Sequence, residues 1–374
     1  MVGGGLIGTA TAWRLAQAGL SVVQVVGERA AAASRVAAGM LAPVTETTFT
    51  EQALMALNRA SRDRYADFAA EVEDASGRPA GLRRVPTLSV AADADDGARL
   101  RAFADFLDRT GHPVQRLTSR ECRSYEPLLA PSVRSGLLVP DDWSCDNRLL
   151  LAALVTAAGR AGVVERDGFV HAVQSTAGRV TGVTLADGSA IGAERVVLAN
   201  GAWAAQVGGV PALPVRPVKG QILRLDPGRF PAPSVTVRAF NRGTEVYLVP
   251  RAGDRELVVG ATVEEQGFDH RVTAGGVYEL LRDARQVLPV TAEYALAETA
   301  VGWRPNTPDN APILGGCALD GLALAAGHHR NGVLLTPVTA DVTAAFVQTG
   351  TLDPVARPFT LERFAAGRVG APIS

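Results

Sequence analysis

Lysine is all but missing from this chain of 374 residues: Lys219 is the only one, and 36 of the 37 basic residues are arginine. A GC-rich coding sequence accounts for that bias, so no function is read from it. Cysteine is scarce as well. Cys122, Cys145 and Cys317 are odd in number and widely spaced, which argues against a disulfide framework or a zinc site and points to a reducing cytoplasm. Neither sign of charge is in excess. The formal net charge is −1, and nothing in it draws the chain to nucleic acid or to an anionic membrane surface. No apolar run approaches the roughly 20 residues of a membrane-spanning helix. A secretory leader is not expected, because the start is glycine-rich and has no basic lead. What remains is ordinary globular composition, 47% hydrophobic and 20% charged, in a length comfortable for two domains.

The chain opens MVGGGLIGTATAWRLAQAGLSVVQVVGE. Gly3, Gly5 and Gly8 form GxGxxG, the spacing of a tight turn, a close backbone approach to a pyrophosphate, and close packing of helix on sheet. A helix is expected from Leu6 or Ile7 to Ala18, closed by Gly19, with its amide end toward the phosphates. Ser21 to Val26 reads as the buried second strand. Two departures from the fingerprint stand out. Only Met1 and Val2 precede the glycines, so either the first strand is unusually short or the chain has lost its first few residues. The acidic ribose ligand expected at the end of the second strand is replaced by Val26. Glu28 lies two residues on, either reaching the ribose or standing as a solvated loop charge.

Further along, RAAAASRVAAGMLAPVTE is dominated by small residues. It reads as an alanine-rich helix, or as backbone lying close to a flat ligand. Helices are expected over 54–72, 96–110, 149–161, 276–288 and 333–349, with a short helical segment followed by a loop over 117–128. Strands are expected over 87–91 and 196–199. RVTGVTLADGSAIG reads as a hairpin that turns at Asp187-Gly188. The run 215–263 is strand-rich and reads as an antiparallel sheet, and Leu322 to Ala326 is a short buried strand. The nucleotide unit is therefore expected to be discontinuous: residues 1–78, 141–212 and 298–374 form one domain, 79–140 and 213–297 the other. The fold class is α/β, a Rossmann-like dinucleotide domain with an α+β partner.

VGGGLIG, SRVAAGMLAP, RPVKGQILRL, YLVPR, VVGAT, GWRPNTPDNAPILG and GHHRNGVLLTP fall in one order across nearly the whole chain. Together they resemble the D-amino-acid oxidase superfamily of FAD amine oxidases and, within it, the glycine oxidases of thiamine biosynthesis. The likeness is thin between 75 and 140. It implies an FAD-binding domain of glutathione-reductase type and a large antiparallel sheet over the flavin. It also implies oxidative deamination of glycine, sarcosine or small D-amino acids, with O2 giving hydrogen peroxide. A quinone-linked D-amino-acid dehydrogenase and a non-catalytic FAD-binding protein are the alternatives.

Hydride leaves a neutral amine in such chemistry, and no side chain need act as an acid or base. The protein's task is to hold the substrate carboxylate, for which a planar guanidinium is suited. By resemblance, Arg304 in GWRP is that clamp, Tyr247 in EVYLVPR approaches the same carboxylate, and Arg330 in GHHRNG lies beside substrate and flavin. Alternation puts Tyr247, Val249 and Arg251 on one face of a strand. On the FAD side the resemblance implies Gly3, Gly5, Leu6, Ile7 and Gly8 at the pyrophosphate and Val26 and Gly27 at the ribose. It implies Ser34, Ala38, Gly39 and Met40 along the ring system and Val170 at adenine. His328, Arg330, Asn331, Gly332, Val333 and Leu334 follow, where a loop leading into a helix stabilises an anion. No metal is expected: His328 and His329 are adjacent, with no carboxylate or cysteine partner in the pattern. Lys219 either caps the junction between sheet and FAD domain or activates oxygen. Monomeric sarcosine oxidases, which bind flavin covalently, carry a cysteine where this chain has Gly302-Trp303-Arg304, so the FAD is expected to be noncovalent. A homo-oligomer, such as a tetramer, and a functional link to a thiazole synthase complete the implied picture.

Overall fold

The computed structural model describes residues 1–27, 32–47, 51–112, 114–241, 243–251, 253 and 255–365. Pairing starts at the first residues. Val2 donates its N–H to the Val197 carbonyl at 2.9 Å and accepts from the Ala199 N–H at 2.9 Å. On its other side Met1 accepts from the Val25 N–H at 2.8 Å, and Gly3 donates to the Val25 carbonyl at 2.9 Å. Val2 thus bridges Val25 and Leu198 in parallel and fills the place of a first strand. Outside it lie Val23–Val26 and Val164–Asp167, parallel to each other. On the far side lie Val196–Leu198, then Leu322–Ala326 in parallel, then Ile313–Gly316 antiparallel.

The inner strands Val196–Leu198 and Leu322–Ala326 read as unbroken apolar runs because both faces are covered. Val197, Ala199, Ala323 and Ala325 face the helices Leu6–Gln17, Gln52–Ser76, Asn147–Arg160 and Thr336–Thr349 in one core. Val2, Val25, Leu198 and Leu324 face Val173, Val180, Val183 and Leu185, which belong to a separate three-stranded antiparallel sheet. In that sheet Arg179–Leu185 pairs with Ala190–Gly192 across the Asp187-Gly188 turn. The first helix is seated by Trp13, 1% exposed, whose ring meets Phe68 edge-on at 6.1 Å.

The second sheet has eight strands. In order they are Ala295–Asn306, Arg216–Asp226, Leu257–Gly260, Thr244–Pro250, Thr236–Asn241, Thr87–Ala91, Ser135–Val139 and Gln115–Thr118. All neighbours are antiparallel except Thr236–Asn241 with Thr87–Ala91. One face packs on the helix Ala274–Val287 through Leu223, Leu248, Val259, Leu280 and Ala284. The other presents Ile222, Val249 and Val258 to Val36 and Ala38. The strand Ala295–Asn306 crosses the boundary expected at 298 and belongs to this sheet along its whole length.

Several expected elements take a different form. The alanine-rich stretch makes one helical turn, Ala33–Val36. It cannot continue through Gly39, whose φ is +74° and whose Cβ would stand 1.9 Å from the Cys145 carbonyl oxygen. Residues 28–31, Glu28 included, lie outside the described residues. The segment 117–128 splits into the end of a strand and the helix Ser119–Tyr125, capped by the reciprocal pair Thr118 and Glu121. The last long helix starts at Thr336, not at 333. Removing Trp13 tests the seating of the first helix: Trp13→Ala should cost about 3–5 kcal/mol in chemical unfolding. A loss below about 1 kcal/mol would mean that this helix is not held by its ring.

Candidate functional site

Each glycine of the opening motif has a steric reason. Gly3 has φ +111°, and a Cβ there would stand 2.4 Å from the Ala199 carbonyl oxygen. A Cβ at Gly8 would stand 2.2 Å from the Gly3 carbonyl oxygen, and one at Gly5 would stand 2.9 Å from Ser34 Oγ. The helix Leu6–Gln17 has no side-chain cap of its own. Ser34 accepts from the Leu6 N–H at 3.0 Å instead, and the other first-turn amides have no acceptor within the helix. Gln24 pins the turn from behind, donating to the Gly3 carbonyl at 2.9 Å and to Thr9 Oγ1 at 3.1 Å. A lone glutamine inside SVVQVV was its one visible signal.

The loop from Ser34 to Met40 is held against the second sheet by Arg251, which sequence reasoning placed on the Tyr247 face without giving it a task. Its Nη1 donates to the carbonyls of Ala38 at 2.8 Å and Cys145 at 3.2 Å, and its Nη2 to Asn147 Oδ1 at 2.7 Å. Asn147 in turn donates to the Ser34 carbonyl at 2.7 Å. Burial lowers the Arg251 pKa from its ordinary value, with Asp146 pulling the other way.

Opposite this loop, two glycines make room for two long side chains. Arg304 pairs with Val218, and its guanidinium lies across Gly220, where a Cβ would stand 2.5 Å from Nη1. Tyr247 pairs with Gly260, where a Cβ would stand 2.5 Å from the phenol oxygen. Arg304 Nη1 donates to the carbonyls of Thr262 at 3.1 Å and Lys219 at 3.4 Å. No carboxylate among the described residues pairs with it. The Tyr247 pKa is raised by burial and by Glu46, against the pull of Arg304. Lys219, next to Gly220, turns its ammonium away to Asp269 at 2.9 Å and Glu264 at 3.2 Å. Burial opposes the charge, but those two hydrogen bonds outweigh it and raise the pKa.

Residues His329–Asn331 form a 3-10 turn, so the amides from 330 to 333 precede the α-helix rather than cap it. His328 is buried, with Nε2 at 3.0 Å from Thr339 Oγ1, and burial lowers its pKa to about 3. His329 adopts φ +46° and accepts from Arg330 Nε at 3.3 Å. Burial first, then Arg330, Arg304 and Arg216, push its pKa to about 3. No motif pointed to His329 beyond its place beside His328. Asn331 and Leu334 are buried behind the turn.

A cavity of about 1400 Å³ joins these parts. It exceeds the roughly 300–1,000 Å³ of a site for one small ligand. Gly3, Gly5, Leu6, Ile7, Gly27, Ser34, Ala38, Gly39, Met40, Val170, His328, Arg330, Gly332, Val333, Tyr247 and Arg304 line it. Gly8, Val26, Asn331 and Leu334 do not. Val26 packs instead over Gly4, where a Cβ would meet its Cγ1 at 2.4 Å. Cys122, Cys145, Cys317 and Lys219 are off the wall as well. Among the described residues no group of three His, Cys, Asp or Glu could hold a metal ion, and no helix is long and apolar enough to cross a membrane.

A glycine turn aimed by a helix N-terminus, a small-residue loop along a long cleft, and an antiparallel sheet on the far wall define a dinucleotide-dependent oxidoreductase. The chain belongs to the FAD dependent oxidoreductase family, whose profile matches residues 1–346. It is 36% identical to a bifunctional protein ThiO/ThiG of Trichormus variabilis over 97% of its own length and 54% of that protein. The chain thus spans about half the length of such relatives. It is 35% identical to a glycine oxidase of Geobacillus kaustophilus over 99% of this chain and 97% of the other. The crystal structure of glycine oxidase from Geobacillus kaustophilus superposes with a TM-score of 0.86 at 33% identity, covering 97% of each chain. The residues present fit FAD. Gly3, Gly4 and Gly5 bring bare backbone to the wall beside the start of the first helix, and the cleft, about 1400 Å³, has room for a dinucleotide and a second small molecule.

His328 and His329 make stability depend on pH. Both stay neutral in the fold down to about 3, while in the unfolded chain they take protons below about 6.5. Their contribution is complete above that value and is lost as pH falls toward 3. The unfolding midpoint should therefore drop from pH 7 to pH 4. In His328→Gln the pH slope of unfolding free energy should shrink by about one proton; an unchanged slope would show that His328 is not buried neutral.

Proposed function

We propose that this protein oxidatively deaminates glycine, sarcosine or small D-amino acids, with O2 as the electron acceptor and hydrogen peroxide as a product. The observation that carries the reading is Arg304: a half-buried guanidinium on the cavity wall, seated over Gly220, with no carboxylate partner among the described residues. A buried cation without a counter-ion is costly, and a substrate carboxylate supplies one. Bound FAD contributes the hydride acceptor for the α-hydrogen of the amine. The chain's residues do the rest by orientation. Arg304 takes the carboxylate by two prongs, Tyr247 donates its hydroxyl to the same group, and Arg330 adds positive charge at that end.

Gly3, Gly5, Leu6 and Ile7 receive the pyrophosphate, and Ser34 with Ala38–Met40 borders the ring system. Val170 lies at the adenine end. Gly8, Val26, Asn331 and Leu334 support these contacts from behind the wall. The FAD-binding domain comprises 1–78, 141–212 and the C-terminal segment. We place that last crossing after the Arg304 strand, which completes the substrate-side sheet. FAD is held noncovalently, since none of the three cysteines reaches the cavity. The relatives named ThiO/ThiG and glycine oxidase support the substrate class and a functional link to a thiazole synthase. A homo-oligomer in the cytoplasm is the form we expect.

Peroxide released on adding glycine under air is the direct test; a protein that reduces a quinone but not O2 would overturn the oxidase reading. Arg304→Ala should keep its yellow colour and lose at least about 100-fold in kcat/KM through KM. Arg304→Lys should recover little, because an ammonium lacks the two-pronged geometry. Normal glycine kinetics in either variant would mean that another group holds the carboxylate. Acid precipitation should release the colour to the supernatant; colour kept in the pellet would refute noncovalent binding.

A further inference from the structure

The turn after Met40 brings a carboxylate to the same wall. Asp142 is buried and holds the turn from below. Its oxygens accept from the N–H groups of Val44 at 3.0 Å and Thr45 at 2.8 Å, and from the Thr45 hydroxyl at 2.5 Å. Arg238 grips the turn from the sheet by donating to the Thr45 carbonyl at 2.6 Å. Glu46 is thereby carried onto the cavity wall. Its side chain is 9% exposed, and its nearest cation, Arg238, is 4.0 Å away. That guanidinium is already committed to Thr45 and to Glu245 at 3.1 Å. No hydrogen bond satisfies Glu46 among the described residues.

Arg238 pairs across the sheet with Tyr247, so Glu46, beside Arg238, shares one stretch of the cavity wall with Tyr247 and Arg304. The wall therefore carries a carboxylate whose nearest cation is 4.0 Å off and, among the described residues, a guanidinium that meets carbonyls but no carboxylate. Each alone is an expensive group to bury. A small zwitterion placed between them would neutralise both.

We propose that Glu46 is the counter-ion of the substrate's amino group in the binding step, so that the cavity grips an α-amino acid at both charged ends; the ammonium gives up its proton to water before hydride leaves the neutral amine. The proposal rests on the oxidase reading for the identity of the site. Glu46 sets specificity for ligands that carry an ammonium and a carboxylate on one carbon, over simple carboxylates. A two-point grip also fixes the axis of a substrate as small as glycine, which a carboxylate clamp alone leaves free to rotate.

The test compares the holoenzyme with Glu46→Gln. Acetate, which has the acid group alone, is titrated through the visible absorption of the bound flavin. Glycine is followed by peroxide release. Acetate should bind Glu46→Gln within about threefold of the parent protein, while kcat/KM for glycine falls at least about tenfold. Glu46→Asp should recover part of that loss. Equal losses for acetate and glycine would show a structural role only, and unchanged glycine kinetics would remove Glu46 from the site; either overturns the proposal. If the parent protein releases no peroxide with any amine, the oxidase reading fails by itself. Glycine is then titrated as acetate is, and the ratio of the two affinities in Glu46→Gln decides the role of Glu46.

Discussion

Two strands give up their side chains where the cavity wall is built. Without the notch at Gly220 the Arg304 guanidinium could not lie across the sheet, and without Gly260 the Tyr247 ring could not lie over its neighbour. The register of the sheet fixes both: Gly220 pairs with Gly302, two residues from Arg304, and Gly260 pairs directly with Tyr247. A slip of one residue would turn every one of these groups to the opposite face. The Arg304 charge is thus held in place by backbone pairing.

The opposite wall depends on a second buried cation. Arg251 leaves the sheet and donates to the carbonyls of the small-residue loop, which joins the two layers at the cleft. Its charge is offset by Asp146 and Glu256, each 3.7 Å from Nε. Arg304 and Arg251 therefore differ in kind. Arg251 ties the two layers together and has acids nearby; Arg304 stands on the cavity wall with no carboxylate partner among the described residues.

Much of this was legible in the residues. The glycine spacing and the valine runs announced a nucleotide turn on a buried sheet, and alternation along 244–250 put Tyr247 and Arg251 on one face. The ordered motifs singled out Arg304 and Arg330. Glu46, Gln24 and His329 were not legible. Glu46 sits in a turn whose position depends on Asp142, 96 positions away in sequence. Gln24 takes its task from Gly3 and Thr9, 21 and 15 positions away. The alanine-rich stretch carried helical composition, yet its Gly39 turns at φ +74° and accepts from the Cys145 N–H at 2.8 Å, a pairing no local rule contains.

The sequence by itself determined the local conformations: turns where glycine alone fits, strands where β-branched residues run together, and the residue types able to hold a phosphate or a carboxylate. Only the tertiary structure decided which charges are already paired. Lys219 and Arg304 are basic residues on neighbouring strands of one sheet, and Arg251 directly follows a third strand of it. The first faces two acids, the second faces the carbonyls of the loop across the cleft, and the third faces the cavity with two carbonyls of its own sheet side behind it. That difference comes from what lies across the sheet, because pairing depends on distance through space and leaves no trace in the order of residues.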